Sequence, residues 1–209
     1  MELGKAVAVN SGIPIKPFEE LLRRQESLEI WAKEVVNQHH HATNLPALLN
    51  IWATIEALVE DTATLIIFHE ISARNSLIQA GVKEASVQPS TEDDARKIYE
   101  RSLQKLKGPS LAKGFISILQ CIGVPLQLNS ETIDSLQELN YIRNCSLHRE
   151  GIIELRVKRE APTLNIPLGE KICIDSAKFL KYYDACSDFV QSLIPAMGQT
   201  HYQNWSPAS

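Results

Sequence analysis

The chain has 209 residues, 44% hydrophobic and 22% charged, a length and balance that suit one globular domain able to bury its own core and that exclude a disordered chain. A formal net charge of −4 excludes an extended basic surface of the kind that neutralises many nucleic-acid phosphates, and leaves room only for a local basic site. No apolar run reaches the roughly 18 residues of a membrane span, and the N-terminus lacks a basic region followed by an apolar core, so the chain reads as cytoplasmic with no membrane partner.

Residues 1–16 read as an N-terminal arm. After Pro17, Phe18, Leu21, Leu22, Leu28, Trp31 and Val35 recur at helical spacing up to about His39, which predicts a first helix. Asn44 and Pro46 fit the start of a second, long helix whose stripe of Leu48, Ile51, Trp52, Ile55, Leu58, Val59 and Ile66 runs on until just before Gly81. Ser90 and Thr91, followed by Glu92, Asp93 and Asp94, suit the cap and first turn of a third helix, which Gly108 and Pro109 stop. A fourth spans about Ser110 to Gly123. Asn129 and Ser130 cap a fifth, with Ile133, Leu136, Leu139, Ile142 and Leu147 as its apolar positions.

The period then changes. Ile153, Leu155 and Val157 alternate with Glu154, Arg156 and Lys158 as in a half-buried strand, and Lys171 to Ile174 is the expected hairpin partner. Asp175 and Ser176 cap a last helix carrying Leu180, Tyr183, Cys186, Val190 and Leu193, after which residues 195–209 read as a polar tail. The fold class expected is all-α: one helical bundle over the whole chain, with a small β-hairpin inserted before the last helix.

Several features carry little chemistry. Cys121, Cys145, Cys173 and Cys186 are widely spaced without a CxxC pair, as expected of reduced structural thiols. His39, His40 and His41 are adjacent, so a helix aims them in different directions, and no Asp or Glu completes a facial set; no metal or other cofactor is implied. Trp31, Trp52 and Tyr99 fall on apolar stripes and are read as core rather than as base-stacking platforms. Two stretches are basic, from Arg96 to Lys113 and from Arg143 to Arg159.

The second stretch begins inside the fifth helix. At about 100° per residue, Arg143 falls within about 60° of Leu136, as do Ile133, Leu139 and Leu147, so an arginine sits in the middle of the apolar stripe. A guanidinium there must be paired inside the bundle, reach an edge, or face a partner or an anionic ligand. Glu56, polar within the apolar second helix, is the candidate internal partner. His148 lies five residues on, roughly 140° around an unbroken helix. One straight helix cannot aim both side chains at one atom. Either the helix loosens before Gly151, or the site combines two copies of the segment across a two-fold axis.

Arg143-Asn144-x-x-x-His148, at the end of an apolar-patterned helix, resembles the Arg-(four to six residues)-His signature of the HEPN (higher eukaryotes and prokaryotes nucleotide-binding) superfamily. Arg149-Glu150-Gly151 and the strand-like insert before the last helix resemble the branches associated with RNA repair and prokaryotic conflict systems, the likeness covering about Leu45 to Leu193. The resemblance implies a metal-independent endoribonuclease, active as a homodimer with two motifs facing each other. Arg143 would hold the scissile phosphate, Asn144 would orient the site, and His148 would move a proton. Guanidinium and imidazole suit those tasks: the first binds phosphate oxygens in a bidentate fork, and the second titrates near neutrality. Arg149 and Arg156 are the candidates for further substrate contacts. Members paired with a nucleotidyltransferase antitoxin often carry a tyrosine two residues after the histidine; Glu150 stands there, so no obligate antitoxin partner follows, and an antitoxin or regulatory protein stays open as a partner. A non-catalytic module of the same superfamily, binding RNA, a nucleotide or a protein, and a structural domain with Arg143 tied to Glu56, are the competing expectations.

Overall fold

Short polar side chains open four of the helices in the computed structural model, which describes residues 15–108 and 110–200. In chain order the elements are α1 (Ile15–Asn37), α2 (His41–His69), α3 (Ile71–Gln79), a 3₁₀ turn (Lys83–Ser86), α4 (Glu92–Leu106), α5 (Leu111–Cys121), α6 (Ser130–His148), the short α7 (Leu155–Glu160) and α8 (Ser176–Thr200). Thr91 Oγ1 accepts from Asp94 N at 3.2 Å, Ser110 Oγ from Lys113 N at 3.2 Å, Asn129 Oδ1 from Thr132 N at 2.8 Å and Asp175 Oδ1 from Lys178 N at 2.8 Å. Each acceptor satisfies a first-turn N–H that the helix itself leaves open.

Helices α2, α4, α5, α6 and α8 close into a ring in which each packs on the next, and α2 also touches α5 and α6 across the middle. The core between them includes Trp52, Ile55, Val59, Tyr99, Phe115, Ile118, Leu136, Leu139, Tyr182 and Phe189, with the Trp52 and Phe115 rings stacked at 5.9 Å. Trp52 and Tyr99 are therefore core residues, as their stripes predict. Gly114 lets α5 come close to the end of α4, because a Cβ there would fall 2.7 Å from Lys107 Cα. No helix among the described residues is long and apolar enough to cross a membrane.

The long second helix is interrupted. Glu70 is extended (φ −105°, ψ 112°), and the chain restarts as α3. Buried Arg74 spans the break, donating from Nη1 to Ile67 O at 2.8 Å and Phe68 O at 3.2 Å, so carbonyls exposed by the interruption are met by a cation at a helix C-terminus. At the other end α2 begins a turn before Asn44, at His41. The side chain of Asn44 is not a cap but donates to Ile174 O at 3.1 Å.

The expected hairpin is absent. Among the described residues there is no strand, only an isolated antiparallel bridge between Ile152 and Lys171. Leu155 to Glu160 is helical, and of its described side chains only Val157 is buried. Leu155, which an alternating strand would bury beside Ile153 and Val157, is 74% exposed. The proposed tail is also shorter. α8 continues through Pro195 to Thr200, and its buried side is Tyr182, Ala185, Cys186, Phe189 and Leu193, leaving Leu180 and Tyr183 largely outside.

α1 departs most from the sequence expectation. Trp31 and Leu28, read as core positions, are exposed, and of the described side chains of α1 only Val35 is buried. The stripe is real as a pattern, but Leu28 and Trp31 have no packing partner among the described residues. Residues 1–14 of the expected arm and 201–209 of the expected tail lie outside the described residues.

Candidate functional site

α6 is held on all sides before it reaches the motif. From Ser135 to Ile142 every residue is buried, including the polar Gln137, Glu138 and Asn140. Glu138 Oε2 accepts from Lys181 Nζ at 2.7 Å and from Tyr182 Oη at 2.9 Å, so α8 grips α6 through one buried carboxylate. Burial, reinforced by the adjacent Glu138 carboxylate, pushes the Tyr182 phenol well above its ordinary value and keeps it a donor. A reading of α6 as one apolar stripe misses this grip. The polar residues at 137, 138 and 140 look like a solvated face until a second packing helix is known. Buried Asn140 Oδ1 and Glu138 Oε1 accept no hydrogen bond from the described residues.

Beyond Ile142 the helix emerges. Arg143 is half-buried, and its guanidinium is spoken for: Nη1 donates to Asn144 Oδ1 at 3.1 Å, and Nη2 lies 3.4 Å from Glu56 Oε2 on α2. Glu56 in turn accepts from the buried Trp52 indole N–H, 2.9 Å from its Oε1. Trp52, Glu56, Arg143 and Asn144 thus form one connected polar chain from the core to the surface. Trp52 gave no sequence signal beyond its apolar stripe, although an indole N–H four residues before a glutamate is within reach on one helix face.

His148 is on a different side. Helical bonding runs unbroken to the end of α6, where Arg149 N donates to Cys145 O at 2.8 Å, so the loosening considered as one way to aim Arg143 and His148 together does not occur within the chain. The His148 side chain is exposed in the last turn and makes no hydrogen bond to the described residues. The chain then turns sharply: Glu150 (φ 54°) and Gly151 (φ 80°) are both left-handed, and Gly151 N returns to Cys145 O at 3.0 Å, a Schellman-type ending.

The remaining residues named from the sequence are dispersed. Arg149 pairs with Glu154 at 3.2 Å, and Arg156 is exposed on α7. The structure therefore brings Arg143, Asn144 and Glu56 together and leaves His148, Arg149 and Arg156 apart from them. Leu147, expected on the apolar stripe, is 55% exposed beside the motif.

Family models, curated proteins and solved structures offer no match to this chain.

Of the other candidates, the histidine cluster is a turn. His39 and His40 are left-handed, and His41 Nδ1 accepts from Ile174 N at 3.0 Å, which joins the start of α2 to the segment before α8. Burial, then the nearby Lys171 and Lys178, hold the His41 imidazole below its ordinary value. Among the described residues no three His, Cys, Asp or Glu side chains are grouped to hold a metal. Burial raises the thiols of Cys121, Cys145 and Cys186, the last to about 12, so these are not reactive thiolates. A cavity of about 550 Å³ lies between the start of α6 and α8 and is lined by Asn129, Thr132, Asp188 and Ser192, among others. It is toward the opposite end of α6 from Arg143 and His148, which lie about 17 Å and about 24 Å along the helix from Thr132. Its polar side chains are already engaged, Thr132 Oγ1 with Asp188 Oδ2 at 2.9 Å and Ser192 Oγ with Gln127 N at 2.8 Å.

Proposed function

We propose that the chain is a HEPN-like, metal-independent endoribonuclease that cleaves RNA at a composite site formed by two copies. The observation that carries this reading is the pair of residues on α6: a half-buried arginine held at the surface by Asn144 and Glu56, and five residues later an exposed, unbonded histidine on another side of the same unbroken helix. A single α6 cannot direct both at one phosphate. Two α6 ends related by a two-fold axis can, with Arg143 of one copy and His148 of the other on each side of the bound strand.

In that arrangement the guanidinium binds the non-bridging phosphate oxygens. One imidazole takes the proton from the ribose 2′-OH as that oxygen attacks phosphorus. The 5′-oxygen leaves with the electrons of its bond to phosphorus and takes a proton from the second imidazole. The products are a 2′,3′-cyclic phosphate and a 5′-hydroxyl end. Phosphate must compete with Glu56 for Arg143, and because the phosphate contact is ionic, RNA binding weakens as salt rises.

The test is cleavage of single-stranded RNA in excess EDTA by the native chain, Arg143→Ala and His148→Ala. Activity in the native chain and a loss of about 10²–10⁴-fold in His148→Ala are expected. A requirement for divalent metal, or full activity in His148→Ala, refutes the mechanism. The Arg143–Glu56 pair favours a second reading, a non-catalytic RNA- or nucleotide-binding module, because a carboxylate already occupies the guanidinium. Salt-dependent RNA binding without cleavage would select it.

A further inference from the structure

α1 is an amphipathic helix of 23 residues, about 35 Å long, and among its described side chains only Val35 is buried in the bundle. Along it Gln25, Leu28 and Ala32 follow the alternating three- and four-residue spacing of a coiled-coil seam, which the sequence carries back to Leu21 and Phe18 and which ends where Val35 is buried in the bundle. Leu28 is 63% exposed, and Trp31, beside the seam, is 56% exposed. The flanks of the seam differ in charge, with Arg24 on one side and Glu29 on the other, five residues apart. Among the described residues these two side chains bond only to neighbours on their own helix, Arg24 to Glu20 at 2.9 Å and Glu29 to Gln25 at 3.2 Å.

We infer that α1 pairs with α1 of a second copy as a short parallel two-stranded coil. Parallel alignment sets each Arg24 against the partner's Glu29 position, the flank-to-flank spacing at which coiled coils pair opposite charges. Antiparallel alignment sets like flanks together and loses this match. Gln25 falls at a seam position, where a polar residue fixes register at some cost in affinity. A seam of about two heptads buries less than the roughly 1,200 Å² of a stable interface, so the dimer should dissociate on dilution.

The root of α1 is also linked to the end of α6. Ile172 N donates to Gly151 O at 2.8 Å, just after His148; Cys173 Sγ is 3.9 Å from Gln38 O, just after α1; and Ile174 N donates to His41. Paired helices lie about 8–10 Å apart, so a parallel α1 pair brings both roots, and with them both α6 ends, to one side of the dimer. To this extent the inference rests on the proposed composite site: α1 would be the device that assembles it. The pairing itself requires no cleavage.

Sedimentation equilibrium of the full chain should show a monomer–dimer equilibrium. Leu28→Asp, at a position exposed in the monomer, should abolish the dimer and leave the circular dichroism unchanged. Arg24→Glu should raise the dimer Kd about tenfold, since two attractive pairs become two repulsive ones, and Arg24→Glu combined with Glu29→Arg should restore it. Leu28→Cys should cross-link to itself under mild oxidation well above the background of the native cysteines, and Lys33→Cys should not. A chain that is monomeric at every concentration, or a dimer indifferent to Leu28→Asp and Arg24→Glu, overturns the α1 pairing; in the latter case the composite site stands, held together elsewhere. Monomeric α1 variants that still cleave RNA at the native rate leave the pairing intact and overturn the composite site instead.

Discussion

Replacing Arg143 separates an arginine kept for binding from one kept to hold the fold. Its Nη2 lies 3.4 Å from Glu56, with the two side chains 30% and 26% exposed. Fully exposed pairs contribute up to about 1 kcal/mol, and breaking a fully buried pair costs about 3–5 kcal/mol. The geometry here is long and the burial partial, which places Arg143→Ala at a cost of about 1–2 kcal/mol. Glu56→Gln should cost a similar amount, because the amide oxygen can still accept from the Trp52 indole. Glu56→Ala strands that buried N–H as well and should cost a further 1–3 kcal/mol or so. Urea unfolding followed by tryptophan fluorescence measures all three. RNA cleavage measured on the same preparations supplies the second axis: Arg143→Ala should be folded and inactive, and Glu56→Gln should be folded and bind RNA more tightly, with its guanidinium released. A loss above about 3 kcal/mol in Arg143→Ala, with RNA binding unchanged, would refute the functional reading and make the arginine an internal tie.

Other consequences follow from the same coordinates. In the segment expected to be a strand, Leu155→Glu should be nearly neutral and Val157→Glu should cost several kcal/mol in urea unfolding, because only Val157 is buried; equal costs would restore the strand. Glu138→Ala strands the buried Tyr182 hydroxyl and removes the partner of the half-exposed Lys181, and should cost about 1–3 kcal/mol in the same urea measurement; an unchanged midpoint would remove the grip. His41 has a folded-state value below its ordinary 6.5, so the unfolded chain takes up a proton at higher pH than the folded one. Its contribution to stability is intact above about pH 6.5 and declines as pH falls below that value, levelling off once the folded form is protonated too. Urea midpoints measured from pH 7 to 5 should therefore fall less steeply in His41→Gln than in the native chain, and identical slopes would remove His41 as a cause.

What was legible in the sequence was local. Thr91, Asn129 and Asp175 reveal helix starts because a cap is a bond between a side chain and a backbone N–H a few residues away. The break at Glu70 was not legible, since it depends on Arg74 reaching back to carbonyls of the preceding helix, a contact no periodicity encodes. Ile153, Leu155 and Val157 alternate in type, yet Leu155 is exposed; the next residues to be buried, Ala161 and Leu164, lie beyond the window in which the alternation is visible. At the candidate site, Glu56 stood out as the polar residue of an apolar stripe, and the structure places it beside Arg143. The Trp52 link and the Glu138 grip involve residues that look like ordinary core and ordinary surface until α8 is in position.

The Glu138 grip bears directly on the motif. A helix surrounded by apolar side chains alone can turn about its axis with small losses, because burial is non-directional. Hydrogen bonds are directional, and Glu138, fixed by Lys181 and Tyr182, admits one rotational setting of α6 against α8. Arg143 lies five residues further along the same rigid helix, and His148 ten, so that setting determines which side each faces. The angle between them, about 140°, belongs to the helix itself and cannot be closed by motion within α6. Evolution of a site from these two side chains then has to supply the missing half from outside the helix, and a second α6 offers the same two groups in the complementary arrangement.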